Sequence, residues 1–165
     1  MPAPTSYSSV QIFLHWTIAA LVIFQLTVNT GMQAAFNDHV DGRPPEEMGA
    51  AVLHIIVGSI ILALAIIRLS IRHVRGVPVA HADNPAVVNW LGHAAHMLLY
   101  GFIFFMPLTG LVAWFGGLEF SAELHELGRL LLIPLVVLHA LGALAEHFVF
   151  HNDSLRRMLT LNRDK

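Results

Sequence analysis

Four histidines, His15, His54, His125 and His139, lie in stretches otherwise made of Leu, Ile, Val, Ala and Phe. His125 and His139 stand fourteen residues apart, a distance over which an α-helix rises about 21 Å and returns to within about 40° of its starting direction. Two imidazoles on such a helix project from one face at two depths. Ionisable side chains inside an apolar span carry a functional reading by default. The whole chain holds eleven His and no Cys, which excludes disulfides, thiolate metal sites, iron–sulfur clusters and covalent c-type haem attachment as chemistry of this chain.

The elements that must position these residues are apolar runs. Of 165 residues, 56% are hydrophobic and 12% charged, about half the charge of an ordinary soluble domain. Four runs, at about 10–28, 50–71, 87–115 and 124–150, each reach the roughly 20 residues that cross a bilayer core as a helix. The expected fold is all-α: an integral membrane four-helix bundle, up-down-up-down, with residues 1–165 forming one domain. The first run is not expected to be a cleaved signal peptide, since no Lys or Arg precedes it. Ser8 or Ser9 is expected to cap the first helix, and Pro134 to bend the fourth between its two histidines.

Arg72 and Arg75 mark the second connection, with Arg68 just inside the helix end, and Arg156, Arg157, Arg163 and Lys165 mark the tail. By the excess of Lys and Arg on the cytoplasmic side, both termini and this connection are expected in the cytoplasm. The first and third connections carry Asp38, Asp41, Glu46, Glu47, Glu119, Glu123 and Glu126 against Arg43 and Arg129, so the outer face is acidic.

Depth along the helices then pairs the histidines. His54 and His125 enter from the outer side, and His15 and His139 lie toward the inner side. Two facing imidazoles with no cysteine or carboxylate beside them suit bis-histidine haem iron in an apolar bundle. Zinc ordinarily takes three or four ligands with a thiolate or acidic partner. Gly58, one turn after His54, leaves room for a flat group near the backbone, or serves helix packing.

These residues carry a resemblance. His15-Trp16 in the first helix, His54-x-x-x-Gly58 through Arg68, and His93-x-x-His96 with Met106-Pro107-Leu108-Thr109-Gly110-Leu111 are similar to the bacterial cytochrome b-561 family. So are Leu124-His125-Glu126 through Leu138-His139-Ala140, and Ala145-Glu146-His147 with Leu155-Arg156-Arg157-Met158. The family is shared with the cytochrome b subunits of membrane hydrogenases and formate dehydrogenases. The resemblance implies two non-covalent haem b groups, with His15, His54, His125 and His139 as axial ligands to iron. It also implies a bacterial inner-membrane, multi-pass protein that moves electrons between an outer donor and a quinone, ubiquinone as the expected substrate. Arg68 is a candidate propionate contact or a snorkelling arginine. His93 and His96 are candidate contacts of a propionate, a quinone or water. His147 and His151 are expected in the last turns of the fourth helix, and His39, His73 and His81 in loops without a role.

The donor stays open. Some members of the family oxidise superoxide at the outer face, which would favour a cationic surface; this one is acidic. A soluble redox protein is a second donor, and a cytochrome b anchor for a dehydrogenase or hydrogenase a second function. A histidine-rich metal transporter is the alternative of another class. Lipid and quinone are the expected partners, and no nucleic acid is.

Overall fold

The structure is a computed structural model that describes residues 4, 6–28, 30–79 and 84–160. Its chain order is α1 (Ser9–Thr27), α2 (Met32–Val40), α3 (Met48–Arg75), α4 (Ala86–Gly116), α5 (Glu119–Phe148) and α6 (Ser154–Leu159). Four of these, α1, α3, α4 and α5, are long and apolar enough to cross a membrane. They run up-down-up-down, with α2 across one end and α6 at the other. We call these the cap end and the tail end.

Local chemistry explains the starts and stops. Ser8 caps α1: its hydroxyl accepts from the Gln11 amide while the Gln11 side chain accepts from the Ser8 amide, satisfying donors that the first turn otherwise orphans. Gly117, at φ 62°, ends α4, and the Leu118 amide returns to the Ala113 carbonyl, a left-handed stop that favours glycine. α4 and α5 remain continuous helices through Pro107 and Pro134.

Four expectations need correction. The fourth span starts at Glu119, so the connection expected over 116–123 shrinks to a tight turn; an acid in the first turn suits a helix start. The first connection is not a plain loop, because it holds α2, and His39 lies in that helix. His73 lies in the last turn of α3, whereas His151 falls beyond α5, at φ 53°. His81 lies outside the described residues.

The interior is sparsely filled. Among the described residues no large side chain is fully buried, while Phe13, Trp90, Met97, Phe115 and Phe120 point outward, as they do on lipid-facing helices. One small core joins Ile18 of α1 to Val57 and Ile61 of α3. Another joins Ala35 of α2, Ala51 of α3 and Trp114 of α4. Backbones approach most closely for α1 on α3, α3 on α4 and α4 on α5. Among the described residues α5 comes as close to neither α1 nor α3.

Candidate functional site

At the cap end, His54 and His125 each lie six residues into their helices, about 9 Å along the axis. Their ring centres are 5.9 Å apart and the planes are inclined at 73°. Both rings line a cavity of about 610 Å³, together with Gly58, Phe102, Met106 and Gly110, within the size range of ordinary cofactor sites. The Gln25 amide nitrogen donates to the His54 carbonyl at 2.8 Å. Its side-chain oxygen and His54 Nδ1 are buried without partners. Nearest to the Cα of Gly58 on its open side is the Gln25 amide, 3.4 Å from where a Cβ would stand.

α2 closes this end. His39 stacks on Trp114 with ring centres 4.5 Å apart and planes 5° from parallel, and its Nε2 donates to the Trp114 carbonyl at 3.0 Å. The lining also includes Glu119, Glu123, Glu126 and Arg129.

At the tail end, His15 and His139 face each other with ring centres 6.3 Å apart and planes at 72°. Sequence reasoning left His96 open between several contacts; its ring lies 5.1 Å from that of His139. His96 Nδ1 donates to the Gly92 carbonyl at 2.7 Å. His93 makes the same bond to the Asn89 carbonyl, and no ring contact joins it to His15 or His139 among the described residues. Arg68 Nε donates to the Tyr100 hydroxyl at 3.2 Å, while its Nη1 is buried and unpartnered. The Arg72 guanidinium lies over the Tyr100 ring. Burial pushes the Tyr7 phenol up from its usual value, with Arg72 and Arg68 pulling the other way. The Trp16 indole ties α1 to the tail by donating to the Met158 carbonyl at 2.7 Å.

Each facing pair suits one flat metal macrocycle. Two metal–nitrogen bonds of about 2 Å, with roughly 1.1 Å from nitrogen to ring centre, separate trans imidazoles by about 6.3 Å. Both pairs bridge α5 to a helix that it approaches less closely than it does α4, and at the cap end the rings meet in the cavity. Among the described residues no three of His, Cys, Asp and Glu converge as a bare-ion site would need.

A family model described as prokaryotic cytochrome b561 matches residues 6–161. The chain belongs to the prokaryotic cytochrome b561 family. It is 31% identical to cytochrome b562 of Cereibacter sphaeroides, over 96% of this chain and 98% of that protein. It is 26% identical to a probable superoxide oxidase CybB of Yersinia pestis, over 95% and 97% respectively. Membership makes this a multi-pass bacterial membrane protein of haem-based electron transfer. The b561 chain also contains site residues that sequence reasoning missed. Thr109 meets the His125 ring and Tyr100 the Arg68 guanidinium, while Gln25 bonds the His54 backbone and Ser121 the Thr109 backbone. Thr109 stands within a stretch already similar to the family, yet its hydroxyl signals nothing until α5 is laid beside it.

Proposed function

We propose that residues 1–165 act as one cytochrome b domain that carries electrons between a donor at the cap end and the quinone pool at the tail end. His54 and His125 would hold one haem b, and His15 and His139 the other. The observation that carries this reading is the pair of imidazole separations, 5.9 and 6.3 Å, each joining α5 to a helix other than its close neighbour α4. When bound, the haems supply one-electron chemistry at two depths of the membrane.

The chain's own residues do the rest. The apolar walls exclude water from the irons, and α2 covers the cap-end cavity. Arg68 offers an unpartnered N–H to an anion, a propionate being the natural one. His96 and Tyr100 offer hydrogen bonds beside it for a quinone. Arg68, Arg72, Arg75, Arg156 and Arg157 cluster at the tail end, which supports placing that end and both termini in the cytoplasm of an inner-membrane protein.

The Yersinia relative raises superoxide as the donor. Seven carboxylates against two arginines oppose an anion at the cap end, so a neutral or cationic donor is the better reading. The test is a dithionite-reduced spectrum and haem count of the purified protein, then stopped-flow mixing with ubiquinol or with superoxide. Two b-type haems per chain that exchange electrons with the quinone are expected. A haem-replete preparation without a b-type band would overturn the function.

A further inference from the structure

The two histidines of α5 are held differently by α4. His125 Nδ1 lies 2.9 Å from the Met106 carbonyl. A carbonyl has only lone pairs to offer, so Nδ1 carries the proton and Nε2 keeps the lone pair that a metal needs. The Thr109 hydroxyl is 3.3 Å from the same Nδ1. It donates within its own helix, to the Phe105 carbonyl at 2.8 Å or the Met106 carbonyl at 3.0 Å. When the hydroxyl hydrogen points to Phe105, its oxygen becomes a second acceptor for the imidazole N–H. Ser121 then fixes the register of the two helices, donating to the Thr109 carbonyl at 2.8 Å.

Two glycines allow this approach. A Cβ on Gly110 would stand 3.2 Å from Nδ1 and Cε1 of His125. One on Gly128 would stand 2.5 Å from the Met106 sulfur and 3.2 Å from the Phe105 ring. A side chain at either place separates the helices or tilts the ring. His139, fourteen residues on, makes no hydrogen bond to α4 among the described residues; what α4 sets against it is the His96 ring.

An acceptor on the far nitrogen makes an imidazole a stronger electron donor through the near one, which favours the oxidised metal. We infer that Thr109, Gly110 and Gly128 are positioning residues: Thr109 as a second acceptor and the two glycines by letting the Met106 carbonyl approach, they hold His125 as its Nδ1–H tautomer and set the cap-end reduction potential below the tail-end one. This rests on the haem reading above.

The test is redox titration and low-temperature electron paramagnetic resonance of the haem-replete protein, with His54→Ala identifying the cap-end component. Thr109→Val and Gly110→Ala are each expected to shift the reduction equilibrium of that component about threefold to tenfold toward the reduced form, with altered g values. The tail-end component serves as the internal control and stays put, and Thr109→Ser behaves as the parent. An unchanged cap-end component, or an equal movement of both, overturns the inference while leaving the haem reading intact. If Gly110→Ala does not assemble, Thr109→Val decides alone. A parent protein without haem would defeat the reading and the inference together.

Discussion

The cap end and the tail end present nearly the same pair of imidazoles in different surroundings. Ring centres differ by only a few tenths of an ångström between the pairs, and α5 contributes to both. At the cap end the pair sits under α2 in an apolar cavity rimmed with carboxylates. At the tail end two arginines, two tyrosines and a third imidazole crowd beside it. If each pair holds a haem as proposed, one ligand geometry in two electrostatic settings would give two potentials. Positive charge favours an added electron and negative charge opposes it, so under the di-haem proposal electrons would run from cap to tail.

The severest way to break this comparison is to remove the α5 imidazoles one at a time. His125→Ala is expected to lose the cap-end haem and His139→Ala the tail-end one, each leaving about one haem per chain by the pyridine haemochrome assay. Retention of both haems in either variant would mean that the rings facing each other do not share an iron.

The charge difference is the next target. A unit charge roughly 8 Å away, at an effective dielectric of about 20, contributes about 2 kcal/mol. Arg68→Gln should therefore lower the tail-end potential by an amount of that order while the cap-end potential holds. Spectroelectrochemical titration resolves the two. If both fell together, Arg68 would be acting on assembly and not on one site.

The framework was legible in the sequence because a bilayer reduces the problem to runs of apolar residues and the depth of the polar ones. His54 and His125 are both expected toward the outer ends of their spans, and the start of α5 at Glu119 is what puts each of them six residues into its helix. What stayed hidden depends on rotation about the helix axes. His93 and His96 are three residues apart on one helix, yet only His96 turns toward His139, and no count of residues says which way a helix of apolar surroundings is turned. α2 was also hidden. Met32–Val40 mixes polar and apolar residues, and its one buried anchor, Ala35, gains meaning only against Ala51 and Trp114.

His96 offers a finer test of the tail end. Its Nδ1 is committed to the Gly92 carbonyl, and its ring centre lies 5.1 Å from that of His139, closer than two imidazoles sharing one metal through bonds of about 2 Å would stand. His96→Ala should keep both haems and alter only the g values of the tail-end component, whereas His15→Ala should lose that haem. Loss of haem in His96→Ala would exchange the roles of His15 and His96 and redraw the tail end.

The smallest expected effect concerns what covers the cap end. His39 is exposed, but it stacks face to face on buried Trp114 and donates to that residue's carbonyl. Truncating it removes one neutral hydrogen bond and one ring stack, together about 1–2 kcal/mol of α2 docking. His39→Ala should therefore speed hydrogen exchange of the α2 amides by about tenfold. Opening the cover should also quicken reduction of the cap-end haem by a small reagent such as dithionite, without moving either midpoint potential. His39→Phe keeps the stack and loses the donor, so it should fall between the two. Faster reduction of the tail-end haem instead would show that α2 is not the gate, and the cap end would then differ from the tail end in charge and in the hydrogen bonding of His125.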